Sequence, residues 1–396
     1  MKDAVDFLKE LLAVPSVNGR DDEGRAAEFL CGFFRGAGLE ARVQRIDETH
    51  ANVLAVLEGE DKAGDFVWNG HLDTVPYGKT EEWASDPAIP CERDGFLYAR
   101  GASDMKGGLA AMAYALCAYK RSGKRVPVTI RFIGTCDEEK GGLGAEAVLK
   151  EQLLGRPRGL LIGEPTGGLA GVAQKGCLWL EIRAKGRTSH GAYPKEGCNA
   201  VEQGAALAGR IGDYVRGYAH PVLGASTAQI TRISGGIAPN MTPDACTILM
   251  DIRMVPGLTA DMVLLKAGEL LEEQNRLRKQ AADGSCGPAA EFKAEFSVLN
   301  SRRAVEIAPD HRMAVCLLES LAARGMDTGL TGISYFTDAS VLARDDLELP
   351  VLLFGPGEPD MAHKPNERLS LDRYRQSIRI YMDLIENGFG SAGGAS

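Results

Sequence analysis

Read for the spacing of apolar and polar positions, the chain breaks into short strand-like runs that alternate with amphipathic helical runs. The opening MKDAVDFLKELLAVPSV carries apolar residues at helical spacing and is ended by Pro15, which predicts a helix. A second helical stretch, residues 21–37 within DDEGRAAEFLCGFFRGAG, stops at Gly36 and Gly38. Strand-like runs follow at 40–45 and 52–58, and a third, DFVWNGH, ends in His71. LYARGASDMKGGLAAMAYALCAYK places Asp104 at the mouth of an Ala/Leu/Met helix. The run at 126–135, VPVTIRFIGT, has the β-branched and aromatic content of a buried strand, and it delivers Asp137, Glu138 and Glu139 before a set of glycines. GLLIG at 159–163 leads into Glu164, and ELPVLLFGPG leads through a Gly/Pro loop to His363. Strands alternating with helices predict an α/β fold, a mostly parallel sheet flanked by helices.

The pattern changes near Gln174. GCLWLEIRAKG, CNAVEQGAALAGRIGDYV, ASTAQITRISGG, ACTILMDIRMV, a long charged helix at 260–282 and AEFKAEFSVL read as β-α-β-β-α-β. That order is the ferredoxin-like α/β sandwich. It interrupts the first pattern, so the expected organisation is a discontinuous larger domain, 1–173 and 301–396, with an inserted domain at 174–300. Helices at 311–324 and near 371–386 complete the larger domain. The tail from 388 to 396 reads as disordered, for want of core-forming residues.

Composition narrows the classes. The chain has 396 residues, more than one core usually serves, with 44% hydrophobic and 25% charged residues, as in an ordinary globular protein. A net charge of −9 with no basic cluster argues against a nucleic-acid or anionic-membrane partner. The N-terminus lacks a secretory h-region, and no apolar run is long enough to span a bilayer. Nine cysteines, scattered and without CxxC spacing, read as reduced thiols of a cytoplasmic protein.

The candidate chemistry lies at the strand ends. In an α/β sheet, sites form beyond the carboxyl ends of the strands. His71, the Glu138/Glu139 pair, Glu164 and His363 each follow an apolar run, and Asp104 opens a helix. Taken singly, each has a plain structural explanation: a solvated acidic turn for Asp-Glu-Glu, a helix cap for Asp104. Taken together, two histidines and several carboxylates without a thiolate make a site for zinc, cobalt or manganese. Five ligands exceed the needs of one four-coordinate zinc, so a two-metal centre with a bridging carboxylate is expected. His-x-Asp at 71–73 suits a ligand imidazole oriented by a carboxylate. Metal binding should weaken below about pH 6, near the unperturbed imidazole pKa. His50, His220 and His311 read as structural.

HLDTVP (71–76), ARGASDMKGG (99–108), TCDEEKGG (135–142), IGEPT (162–166) and GPGEPDMAHKPNE (355–367) resemble the M20 metallopeptidase family, in its acetylornithine deacetylase and succinyl-diaminopimelate desuccinylase branch. The resemblance covers nearly the whole chain, the inserted domain included. It implies that His71, Asp104 and Glu164 hold one divalent metal and that Asp104, Glu139 and His363 hold the other, with Asp104 bridging. Asp73 would support His71, and Glu138 would be the general base that deprotonates the attacking water. Which of Glu138 and Glu139 is base and which is ligand follows from the family pattern, since their spacing alone leaves it open.

RTSHGAYP (187–194) resembles the family's lid motif, which implies that His190 stabilises the oxyanion, from the partner subunit in dimeric members. GGIAPNMTPDACTILMDIR (235–253) implies Asn240 and Arg253 as binders of a substrate carboxylate. At ISYFTDAS (333–340) the chain departs from the desuccinylase pattern, Tyr335 and Phe336 standing where glycines are expected.

The expected activity is therefore hydrolysis of the amide of an N-acyl amino acid by a homodimer paired through its inserted domains. A metallo-exopeptidase is the alternative within the family. A non-catalytic binding protein is the alternative outside it, disfavoured because Glu138 is present.

Overall fold

The computed structural model of the chain describes residues 3–281, 292–343 and 349–390. They form two compact units: Met1–Ala173 with Glu306–Ile333 and Thr337–Ser396, and Gln174–Val305 with Ser334–Phe336.

The larger unit is built on a nine-stranded sheet. Seven of its strands run in the order Glu40–Arg45, Ala51–Leu57, Val128–Thr135, Asp61–His71, Pro157–Ile162, Val351–Leu353, Ala170–Gln174, and the short strands Val305–Glu306 and Leu330–Ile333 follow at that end. The four central strands, from Val128–Thr135 to Val351–Leu353, are mutually parallel. Antiparallel strands extend the sheet on either side, so it is mixed, with its parallel part confined to the middle. Parallel central strands are apolar almost throughout because helices cover them, and Val128–Thr135 is buried at all positions but Arg131. Helices Gly24–Gly36 and Leu371–Glu386 supply part of that cover. Phe34 packs on Phe132 with ring centroids 4.8 Å apart, and Tyr381 packs on Trp68 at 5.2 Å.

The chain end departs from expectation. The predicted disordered tail begins with Gly388–Gly390, a 3-10 turn in which Phe389 is buried and stacks on Phe66, centroids 4.5 Å apart. Full burial of a phenylalanine contributes on the order of 2–3 kcal/mol, enough to hold a short glycine-flanked segment in place. Residues 391–396 lie outside the described residues.

In the inserted unit four antiparallel strands run in the order Thr227–Gly235, Ala245–Met254, Gly176–Lys185, Lys293–Arg302. Helices Ala200–Arg216 and Ala260–Ala281 pack on one face. Alternation explains the face they choose: Leu178, Leu180, Ile182, Ile248, Met250 and Ile252 are all buried in one cluster. Thr227–Gly235 is an edge strand with nearly every residue exposed, Ile230 and Ile233 among them.

Candidate metal centre

Parallel strands in register end at one level, and that is how the sequence gathers its ligands. His71, the last residue of its strand, pairs with Thr135, and Asn69 of the same strand pairs with Ile162. The chain therefore reaches Glu138 and Glu139 just past one neighbour and Glu164 just past the other. Asp104 comes from the turn before helix Lys106–Ser122, and His363 from the loop after Val351–Leu353. Backbone packs on backbone beneath them. A Cβ on Gly108 would stand 1.9 Å from the Gly163 carbonyl oxygen, and one on Gly355 would stand 2.4 Å from the same atom, so only glycine fits at either place.

Asp104 lies between the two imidazoles. His71 Nε2 is 3.2 Å from Asp104 Oδ1 and 3.9 Å from Glu164 Oε1. His363 Nε2 is 3.3 Å from Asp104 Oδ2 and 3.0 Å from Glu139 Oε2. Each imidazole thus faces Asp104 and one glutamate of its own. The position before the helix is held by Met105, with no side-chain cap, so the helix-cap explanation of Asp104 fails and both its oxygens face histidines.

Asp73 meets His71 mainly through its backbone. The His71 Nδ1 contact at 2.9 Å is with the Asp73 backbone carbonyl, while the nearer carboxylate oxygen is 3.6 Å away. The carboxylate instead accepts the amides of Glu138 at 3.2 Å and Glu139 at 3.1 Å, and the Asn18 amide group at 3.0 Å. Asp73 therefore supports His71 with its backbone and the Glu138–Glu139 turn with its side chain.

Three glutamates crowd together. Burial, then the charges of Glu164, Asp338 and Glu139, pushes the Glu138 carboxyl well above its usual range, against the pull of His71. Burial and Asp104 do the same to Glu164. Glu139 is raised by burial and Asp104. The histidines are raised too. Burial opposes charge on His71, but Asp104, Asp73, Glu164 and Glu138 outweigh it. His363, bonded to Asp104 and Glu139, is pushed up to about 10. The group needs positive charge. Glu164 Oε2 is buried and without a hydrogen-bond partner among the described residues, as a ligand oxygen would be. His71, Asp104 and Glu139 present ligand atoms all within 4.8 Å of one another. These residues fit a divalent cation.

The raised histidine values move the expected pH response. A cation must displace protons from His71 and His363, so apparent zinc affinity should climb with pH, about tenfold per unit for each proton displaced. The climb should continue above the pH 6 expected of a free imidazole, because both histidines are raised above that range. Calorimetric titration of metal-free protein at several pH values measures it. A flat profile would mean that neither imidazole is a ligand.

Asp338 and Glu367 belong to this neighbourhood and were not among the sequence candidates. Asp338 is buried, accepts from the Thr135 hydroxyl, and its charge bears on Glu138 and Glu164. The one signal for Asp338 is its place in ISYFTDAS, where attention falls on the two aromatics. Glu367 closes the KPNE stretch, and its carboxylate meets the Asp104 turn.

His190, Asn240 and Arg253 lie in the inserted unit. The first two are neighbours: the Gly191 amide donates to the Asn240 carbonyl at 2.8 Å, and His190 bridges to Met241. Both are exposed. Arg253, next to the last residue of its strand, has Nε 2.7 Å and Nη2 2.9 Å from the two oxygens of Asp251. Trp179 Nε1 steadies Asp251 at 3.0 Å, and the Phe336 ring centroid lies 5.8 Å from the Arg253 guanidinium carbon. The Asp251 clamp takes one edge of the guanidinium and leaves the Nη1–Nη2 edge for another carboxylate.

The model of peptidase family M20/M25/M40 matches residues 67–387. A probable succinyl-diaminopimelate desuccinylase of Staphylococcus epidermidis is 26% identical, over 97% of each chain. An acetylornithine deacetylase of Proteus mirabilis is 30% identical over 97% of this chain and 96% of its own. Among solved structures, the aminopeptidase PepT of Bacillus cereus superposes with a TM-score of 0.76 over 97% of each chain at 20% identity, a likeness of fold. The chain is a metal-binding amide hydrolase that belongs to peptidase family M20/M25/M40.

Proposed function

We propose that the chain hydrolyses the amide of an N-acyl amino acid bearing a free α-carboxylate. The observation that carries the proposal is Asp104 placed between two imidazoles, each with its own glutamate. His71, Asp104 and Glu164 would hold one metal, and Asp104, Glu139 and His363 the other. The all-oxygen-and-nitrogen donor set suits zinc, with cobalt or manganese as alternatives. Ions bound there would supply Lewis acidity toward the scissile carbonyl and toward water.

The remaining steps belong to the chain. Glu138 takes a proton from the attacking water and passes it to the leaving amine. Burial raises the proton affinity of its carboxylate, which suits it to accept that proton and carry it to the amine. The Asp73 carboxylate keeps the backbone of Glu138 and Glu139 in place while this happens. The free edge of Arg253, with Asn240, binds the α-carboxylate, and His190 stabilises the oxyanion. Phe336 beside Arg253 makes that subsite narrower and less polar than the glycines expected there, which supports an amino acid other than diaminopimelate.

Eight described cysteines are free, and no described helix is long and apolar enough to cross a membrane, which supports a cytoplasmic setting. The exposed edge strand Thr227–Gly235, with Ile237 beyond it 87% exposed, supports pairing of two inserted units into a homodimer.

The test is a release assay with metal-reconstituted protein over a panel of N-acyl amino acids, their α-carboxamides, and dipeptides. Turnover of N-acyl amino acids, lost when the carboxylate is amidated, is the expected result. Turnover confined to dipeptides would replace this reading by an exopeptidase.

A further inference from the structure

We infer that Glu367 is the positioning residue of the metal centre, holding the Asp104 turn in the shape that lets one carboxylate serve two metals. The inference rests on the reading of Asp104 as a ligand.

Glu367 is completely buried. Its Oε1 accepts the amides of Ser103 at 2.8 Å and Asp104 at 2.9 Å. Its Oε2 accepts the Gly101 amide at 3.0 Å and the Arg100 guanidinium at 2.8 Å. Three amides of one five-residue turn converge on one side chain, so the turn is folded around that carboxylate. Gly101 takes a positive φ of 83° within it, and the Ser103 hydroxyl ties the next strand by donating to the Arg368 carbonyl at 2.7 Å.

Arg100 extends the hold to the other ligands. Its Nη1 also reaches the carbonyl of Lys364, the neighbour of His363, at 3.2 Å, and its Nη2 reaches the carbonyl of Pro76, five residues past His71, also at 3.2 Å. A single buried ion pair therefore joins the segments that carry His71, Asp104 and His363. Ligand carboxylates need outer partners to fix their orientation, and loss of such partners typically costs about 10–100-fold in metal affinity. Asp104 faces both imidazoles, so an error in its position would be felt at both metals.

Glutamine at 367 keeps the size of the side chain but turns one acceptor into a donor aimed at N–H groups, and it removes the counter-charge of Arg100. Zinc titrated by calorimetry into metal-free, full-length Glu367→Gln should bind about 10–100-fold more weakly at both sites than in the parent protein. The circular dichroism of the metal-free variant should match the parent. If Glu367→Gln does not fold, Glu367→Asp, which keeps the charge and shortens the reach, is titrated instead and should show the same loss in smaller degree. Asp104→Asn is titrated alongside. Parent-like zinc binding by Asp104→Asn would overturn the ligand reading itself. Weak binding by Asp104→Asn with parent-like binding by the folded Glu367 variant would overturn this inference alone and leave Glu367 a residue of the fold.

Discussion

Glu138→Ala is expected to keep its full metal content while kcat falls by about a hundredfold or more, the scale of a lost general base. The two adjacent glutamates are separable because their surroundings differ. Glu139 oxygens stand 3.0 Å and 3.3 Å from His363 Nε2, whereas Glu138 feels the charges of His71, Glu164 and Asp338. Glu139→Ala should therefore give the opposite result, a protein short of one metal ion. Elemental analysis beside a rate measurement reads both variants. Loss of metal together with activity in Glu138→Ala would show that the two roles are exchanged.

The second large effect is a gain. If His190 acts on the partner subunit's site, Glu138→Ala and His190→Ala should each be nearly inactive alone and recover activity when mixed under conditions of subunit exchange. In a mixed dimer, the site that keeps Glu138 also receives an intact His190 from the other chain. With random pairing half the dimers are mixed and one of two sites in each works, so roughly a quarter of the parent activity should return. The edge strand Thr227–Gly235, with Ile230 42% and Ile233 47% exposed, is the surface that would pair. No recovery, despite exchange shown by mass spectrometry, would place His190 in its own chain's site or outside the chemistry.

How much of this was readable in the sequence depends on the range over which each residue finds its partners. His71, Glu138, Glu139 and Glu164 stand after runs of β-branched and aromatic residues, and such runs announce buried parallel strands whose ends must meet. Asp104 was ambiguous because a carboxylate before a helix is so often a cap; what decides against a cap is contact with His71 and with His363, 259 residues along. The sequence suggested that the Asp73 side chain orients His71, but past the strand end that side chain turns to the amides of Glu138 and Glu139, and the backbone carbonyl takes its place. Glu367 was not readable as a partner of Asp104, since nothing local marks a glutamate whose donors lie more than 260 residues earlier. Phe389 was lost among the glycines around it. A glycine-rich setting suggests disorder, yet one aromatic ring stacked on Phe66 and edge-on to Trp68 is enough to anchor it.

On the proposed function, Asp104 joins two metal sites into one hydrolytic centre. The most direct test is to strip the protein of metal, add zinc back in steps, and follow bound zinc and hydrolysis of an N-acyl amino acid in the same samples. The expected result is no turnover without metal, binding of two zinc ions per chain, and full turnover only when both are bound. An Asp104→Ala protein should bind neither ion tightly. Full activity in the metal-free protein, or two tightly bound zinc ions in Asp104→Ala, would rule out such a centre.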